Sequence, residues 1–148
     1  MSKVSIKGVL IGGIVDVVSS VVLGLPFAIY AISKIDFAHT PKDRVGPTIT
    51  AAMNGNVPVY IGQLLIGLAC SVLGGYVAAR LAKGNELLNG TLSSFLCIVL
   101  GIYTVSLGKD SHPLVVQVLL FVASPAFGLL GGYLSLLQRR RHVLLLQT

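Results

Sequence analysis

Long apolar runs alternate with short polar segments along the chain, and each run is long enough to cross a membrane as a helix. A spanning helix needs about 20 predominantly apolar residues. Four stretches meet this requirement, over residues 5–32, 57–82, 87–107 and 113–137. The pattern predicts an all-α protein, a four-helix transmembrane bundle in which residues 1–148 form a single integral membrane domain.

The first run has basic residues in front of it, as a cleaved signal peptide does. Lys3 and Lys7 precede an apolar stretch that extends from Gly8 to Ile32. The apolar part of a signal peptide is about 7–15 residues long, which is much shorter than this stretch. The length therefore favours an uncleaved spanning helix.

The composition excludes a lone water-soluble domain. Hydrophobic residues make up 54% of the chain and charged residues 11%, with a mean hydropathy of +0.87. A soluble domain has about 25% charged residues, and a disordered chain has far fewer apolar ones. The net charge of +6 comes from basic residues at the ends of apolar runs. They indicate topology and contact with anionic lipid, and nucleic acid is not an expected partner.

The distribution of basic residues predicts the orientation. One set of flanks holds seven of them, Lys3, Lys7, Arg80, Lys83, Arg139, Arg140 and Arg141, and the other holds four, Lys34, Lys42, Arg44 and Lys109. Cytoplasmic flanks carry the excess of Lys and Arg. Both termini are therefore predicted to be cytoplasmic, and the long segment 33–56 is predicted to be an outer loop.

Two connections contain signals of local structure. In the loop 33–56, Pro47 could open a short helix that ends at Gly55, and an ordinary connecting loop is the alternative. Between the second and third runs, Gly84 suits a helix end and Asn85 the next N-cap.

A weak internal repeat divides the chain into two halves. The tetrapeptide Leu73-Gly74-Gly75-Tyr76 recurs 57 residues later as Leu130-Gly131-Gly132-Tyr133. This recurrence suggests two helical hairpins in the same orientation, with the outer loop inserted in the first. Chance similarity between glycine-rich helices is the alternative.

Small residues recur at four-residue spacing in the apolar runs, which places them on one helix face. Such faces let membrane helices approach closely. The residues expected to pack helices together are Gly8, Gly12, Gly24, Gly74, Gly75, Gly128, Gly131 and Gly132. The two cysteines, Cys70 and Cys97, are interpreted as small apolar residues of the same kind. The bundle should be tight, with little room for a wide pore.

Asp16 is a carboxyl side chain near the middle of the first predicted helix. A charge at this depth costs about 2.5–3.5 kcal/mol, so it needs a partner, a cavity or a proton. Helix directions suggest a polar cluster in the inner half of the bundle, made of Asp16, Ser20, Ser71, Tyr76, Arg80 and Tyr133. A structural bond between helices, a site that handles protons or a solute, and a contact with a partner subunit all remain open.

The sequence gives little support to metal binding, cofactor binding or enzymatic catalysis. The histidines His39, His112 and His142 lie in loops or at helix ends, and there is no phosphate-binding loop, zinc-protease motif or nucleophile elbow. No catalytic residue, metal site or cofactor is predicted, and the protein is expected not to be an enzyme.

The segment Gly74-Gly75-Tyr76-Val77-Ala78-Ala79-Arg80, followed by a short loop and Leu87-Leu88-Asn89-Gly90, resembles small four-span bacterial membrane proteins of uncharacterised function. The resemblance covers about 25 residues, and Leu137 departs from it where the repeat would place a second arginine. It implies a bacterial inner membrane and no known activity.

Two functions follow from these observations. The first is a non-enzymatic assembly or interaction component, as a homo-oligomer or as part of a larger membrane complex. The alternative is a small proton-coupled transporter or permease that uses Asp16, which a cavity reaching that residue would favour.

Overall fold

A computed structural model describes residues 4–36, 39–82, 84–106 and 114–145. Within these ranges the chain is all-α. The helices are α1 (Ile6–Ile32), α2 (Val45–Gly55), α3 (Val57–Leu81), α4 (Glu86–Ser106) and α5 (Leu114–Leu145), with a 3₁₀ turn at Lys42–Arg44 before α2. Among the described residues, four helices are long and apolar enough to cross a membrane: α1, α3, α4 and α5. They coincide with the four predicted runs, and α5 continues beyond the predicted end at Leu137.

The segment between α1 and α3 contains a short helix, which is one of the two structures predicted for it. This helix, α2, begins two residues before Pro47 and ends at Gly55. Asn56 then caps α3 because its side chain accepts a hydrogen bond from the backbone N–H of Val59. Helix α2 packs against α1 and α3.

The four long helices form a bundle with α3 and α4 at its centre. These two pack against each other, and both α1 and α5 pack against each of them. Large apolar side chains such as Ile14, Val18 and Val122 cover the outside and are more than half exposed. An apolar exterior of this kind suits a lipid surround.

The bundle has two distinct ends. The basic end holds the start of α1, the α3–α4 connection and the last turns of α5, with Lys7, Arg80 and the arginines 139–141. The opposite end, called the α2 end, holds α2 and the start of α3.

Asn89 connects two segments of the basic end through hydrogen bonds. It is fully buried, and its Oδ1 accepts a hydrogen bond of 2.8 Å from the backbone N–H of Ser5, the N-cap of α1. Its Nδ2 donates to the carbonyl oxygens of Gly84 and Asn85. Asn85 itself has φ 52°, a left-handed conformation that asparagine tolerates. One side chain thus links the start of α1 to the α3–α4 turn.

In the half of the bundle near the basic end, helix backbones touch through glycine. A Cβ atom added to Gly12 would lie 2.5 Å from the carbonyl oxygen of Gly74, and one on Gly75 would lie 2.8 Å from the Cα of Gly128. Similar close approaches occur at Gly8, Gly74, Gly90, Gly128, Gly131 and Gly132. These glycines are required where they stand because any larger residue would push two helices apart.

In the half near the α2 end, phenylalanine side chains separate the helices. Phe27 of α1 lies against Gly62 of α3, and Phe121 of α5 lies against Gly101 of α4. Gly24 and Gly67 have nothing within 4 Å of an added Cβ atom. The structure therefore does not place Gly24 in a helix contact, although its spacing predicts one, because in this part of α1 the Phe27 ring makes the contact with α3.

The two hairpins use the same packing. Gly8 and Gly12 of α1 face Ala78 and Gly74 of α3, and Gly90 of α4 faces Gly128 and Gly132 of α5. By these contacts Gly74 occupies in the first hairpin the position that Gly128 occupies in the second, whereas the tetrapeptide repeat would make Gly131 its counterpart. Duplication of a hairpin stays a prediction.

Candidate functional site

Asp16 lies inside the bundle, in α1, about 15 Å of helix rise from the start of that helix. The residue is 2% exposed. An aspartate at this depth needs hydrogen-bond partners or a cavity, since its charge is costly to bury. The structure provides both.

Three side chains bond to the carboxyl group. The Ser71 hydroxyl of α3 donates to Asp16 Oδ2 at 3.0 Å. The Cys97 thiol of α4 donates to the same oxygen at 3.0 Å. The side chain of Ser20, one turn further along α1, also hydrogen-bonds to this group.

Helix α5 completes the arrangement through Ser124, whose hydroxyl lies 3.3 Å from that of Ser71. All four long helices therefore contribute a polar side chain to one connected group, called here the Asp16 cluster: Asp16, Ser20, Ser71, Cys97 and Ser124. A hydroxyl can both donate and accept, so the chain from Asp16 through Ser71 to Ser124 can reverse its direction.

A cavity of about 230 Å³ lies against the Asp16 cluster and extends toward the α2 end. Gly67, Gly101 and Gln117 line it at that end, and Leu68, Ile98, Leu120 and Phe121 form its apolar walls. In this half of the bundle phenylalanine rings contact the glycines of neighbouring helices, and one of these rings, Phe121, lines the cavity. The backbone contacts of Gly74, Gly75 and Gly128 close the bundle on the other side of Asp16.

The structure divides the predicted polar cluster in two. Asp16, Ser20 and Ser71 come together as expected. Tyr76 and Arg80 form a separate group at the basic end, and Tyr133 is 46% exposed on the outside of α5. Arg80 lies nine residues beyond Ser71, about 13 Å along the helix axis, so its side chain reaches the basic end more easily than Asp16.

Hydrogen bonds and a cation–π contact hold the second group, Tyr76 and Arg80, in place. Arg80 Nη1 donates to the Tyr76 hydroxyl at 2.6 Å, and its guanidinium lies 5.8 Å from the centre of the Tyr76 ring. The Tyr76 hydroxyl in turn donates to Gln138 Oε1 of α5. Close by, Arg139 and Glu86 form an ion pair between α5 and α4.

Sequence reasoning missed Cys97 and Ser124 as members of the Asp16 cluster. It interpreted Cys97 as a small apolar residue and did not place Ser124 near Asp16. One signal could have found both, because each long helix carries a carboxyl, hydroxyl or thiol side chain near its middle. Such groups avoid the apolar surround and meet inside a bundle.

Two other polar features of the sequence, the pair His39 and Asp36 and the residue Asn89, have ordinary structural roles. His39 Nδ1 lies 2.8 Å from Asp36 Oδ2 in an exposed pair, and the described residues contain no group of three or more potential metal ligands. Asn89, which begins a glycosylation sequon, is fully buried and hydrogen-bonded. Its amide is therefore inaccessible in the folded bundle.

The geometry suits a small ligand that a carboxylate and hydroxyl groups can hold. The cluster could accept a proton at Asp16 or surround a small cation with oxygen atoms. No family model, curated protein or solved structure matches this chain. The resemblance to four-span bacterial proteins therefore stays a prediction, and only the site itself indicates a function.

Proposed function

We propose that this chain is a multi-pass integral membrane protein that transports a proton or a small monovalent cation, with Asp16 as the binding group. The observation that carries the proposal is the cavity that Asp16 lines and that extends from the Asp16 cluster toward the α2 end. A hydrogen bond whose role is to hold helices together needs no such access. A transport site needs a path from one side of the membrane to the carboxyl group.

The size of the cavity limits the ligand. Its volume of about 230 Å³ is below the roughly 300–1,000 Å³ that is typical of pockets for drug-sized molecules. A proton, a partly hydrated inorganic cation or a small ammonium ion fits these dimensions. The apolar walls formed by Phe121 and Leu120 exclude larger polar solutes.

The proposal includes an orientation and a membrane. The excess of Lys and Arg at the basic end supports cytoplasmic termini, and the resemblance of the α3–α4 hairpin supports a bacterial cytoplasmic membrane. The cavity then opens toward the outside, and the glycine contacts form the closed inner side. The proposal assigns this arrangement to the outward-facing state of an alternating-access cycle.

Reconstitution into liposomes tests the proposal. Vesicles that contain the purified chain and an internal pH dye are given a potassium diffusion potential, and internal acidification is followed. Parallel vesicles are loaded with a sodium-sensitive dye and given an inward Na⁺ gradient. We expect flux of one of the two ions above that of empty vesicles, and an at least tenfold lower flux for Asp16→Asn.

Two further variants make the result specific. Asp43→Asn removes a carboxylate from an exposed position in the turn before α2 and should leave the flux unchanged. Gly67→Phe keeps Asp16 and fills the cavity, so it should block flux as Asp16→Asn does. The proposal fails if neither ion moves faster than in empty vesicles, or if the Asp16→Asn protein transports at the wild-type rate.

The second candidate is the assembly component that the small-residue faces suggest. Most of those glycines now have partners within the chain, since Gly8, Gly12, Gly74, Gly75, Gly128, Gly131 and Gly132 contact other helices of the same bundle. They are therefore not available to pack a second copy. A non-enzymatic role in a homo-oligomer or larger complex stays a prediction, and the transport proposal is likewise non-enzymatic.

A further inference from the structure

A groove of about 450 Å³ runs between α3 and α5 near the basic end, on the outside of the bundle. Its walls are the side chains of Val72, Leu73, Leu134 and Leu137. Leu73 and Leu134 are about half exposed, so the groove is continuous with the apolar outer surface of the bundle. An apolar chain would fit along it.

Polar groups lie at one end of this groove. Tyr76, Gln138 and Arg141 line it there, one or two turns beyond the leucines. Arg80 is brought to the same place, because its Nη1 atom lies 2.6 Å from the Tyr76 hydroxyl. The hydrogen bond from Tyr76 to Gln138 fixes that hydroxyl between α3 and α5, so the guanidinium is already positioned before any ligand arrives.

Among the described residues that line this groove there is no carboxylate. Arg80 also lines the neighbouring cavity on the other side of Gln138, where Arg139 forms an ion pair with Glu86. Among the residues that the structure describes, the ion pairs are this one and His39–Asp36, and neither includes Arg80 or Arg141. Two arginines that form no ion pair therefore lie at one end of the groove, Arg141 in its lining and Arg80 beside Tyr76.

We infer that the groove binds an anionic phospholipid, with an acyl chain between α3 and α5 and the phosphate at Arg80 and Arg141. Guanidinium groups bind phosphate through paired hydrogen bonds, and the basic end lies where headgroups of one leaflet would be. The apolar walls select a lipid over a soluble phosphate, because a free anion would leave the groove empty. This inference does not depend on transport by Asp16.

Thermal unfolding of the full chain in detergent micelles tests the inference. A thiol-reactive dye reports unfolding as Cys70 and Cys97 become accessible. Phosphatidylglycerol or phosphatidylcholine is titrated into the micelles, and the concentration for half of the maximal Tm shift is recorded. We expect phosphatidylglycerol to raise the Tm at a lower concentration than phosphatidylcholine. Arg80→Gln with Arg141→Gln should raise that concentration more than tenfold, at about fivefold per arginine.

Matched variants distinguish binding at a specific site from general electrostatic attraction to the basic end. Arg140→Gln removes the same charge from the neighbouring position, which does not line the groove, and should leave the titration unchanged. Leu73→Trp obstructs the groove without changing the charge and should weaken the effect of phosphatidylglycerol. Arg80→Lys keeps the charge and loses the paired geometry, so it should give an intermediate value.

Three results would overturn the inference. Phosphatidylcholine could shift the Tm at the same concentration as phosphatidylglycerol. Arg140→Gln could weaken binding as much as the double variant, which would indicate diffuse electrostatic attraction. Inorganic phosphate at equal concentration could reproduce the shift, which would indicate a site for a soluble anion.

Discussion

At the scale of single residues, Asp16 is stabilised by donors that come from other helices. Ser71 and Cys97 each donate to Oδ2, and they belong to α3 and α4. Placing an aspartate at the centre of a membrane helix costs about 2.5–3.5 kcal/mol. These hydrogen bonds offset part of that cost, so they link the ionisable group to the stability of the bundle.

Replacing Ser71 by alanine should therefore destabilise the protein. The change removes a donor to Asp16 and the contact with Ser124, and we expect the free energy of unfolding to fall by about 0.6–2 kcal/mol. Unfolding in mixed micelles with increasing SDS, followed by circular dichroism, measures this difference.

Ser106→Ala is the matched control for this variant. The Ser106 hydroxyl is exposed and donates to the Tyr103 carbonyl oxygen of its own helix, α4. Its loss should change the unfolding free energy by only a few tenths of a kcal/mol. Equal effects of the two substitutions would show that the bond to Asp16 adds nothing to stability.

At the scale of helices, the same residue type has different roles along α1. Gly12 touches the backbone of α3, whereas Gly24 has open space where a side chain would be. Phe27 lies one turn beyond Gly24 and contacts Gly62, so an aromatic ring sets the distance between α1 and α3 there. The helices consequently touch near the basic end and separate near the α2 end.

Substituting alanine at these two glycines should give opposite results. Gly12→Ala places a methyl group 2.5 Å from the Gly74 carbonyl oxygen and should destabilise the fold by about 1–3 kcal/mol. Gly24→Ala meets no neighbour and should be neutral, or stabilising by up to about 1 kcal/mol, since alanine favours the helix. The unfolding measurement used for Ser71→Ala compares them, and equal destabilisation would contradict the packing described here.

At the scale of the whole molecule, glycine contacts close the half of the bundle near the basic end, and a cavity lies in the other half. The α3–α4 turn and the Asn89 hydrogen bonds hold the helices together at the basic end. The cavity lies in the other half and ends at the Asp16 cluster. Access to Asp16 should therefore come from the α2 end.

Cysteine labelling tests the direction of access. In a cysteine-free background, Cys70→Ala with Cys97→Ser, a small water-soluble methanethiosulfonate should modify Gly67→Cys, whose side chain would line the cavity. The control is Leu65→Cys, which lies on the same helix and is 62% exposed on the outer surface. That thiol faces the lipid hydrocarbon and should react with the reagent at least tenfold more slowly, because a thiolate forms poorly in hydrocarbon.

The reagent should act from the side of the membrane that faces the α2 end. Labelling of Gly67→Cys from the side of the basic end, or equal rates for the two cysteines, would contradict a cavity that opens in this direction.

Much of the architecture could be predicted from the sequence because it depends on local properties. Run length and hydropathy place α1, α3, α4 and the start of α5 within a few residues of their observed bounds, and Pro47 with Gly55 marks α2. The extension of α5 beyond Leu137 was harder to predict, since a charged segment can continue a helix or leave it.

The site was predicted in part. Helix direction correctly brings Asp16 and Ser71 to the same depth, but it also favours Arg80 and Tyr133 as neighbours. Which side chains of one helix face the interior depends on rotation about its axis. Periodicity leaves that rotation open when small residues occupy several faces.

The sequence by itself determined the number of long helices, their apolar exterior and the presence of one carboxyl group deep in the first of them. These follow from hydrophobicity and chain length, which act locally along the chain. Tertiary structure decided that Cys97 and Ser124 join Asp16, that Gly24 packs against nothing, and that a cavity forms on one side of the site. The physical reason is that helix separation depends on pairs of residues distant in sequence: glycine against glycine closes the bundle, and phenylalanine against glycine opens it.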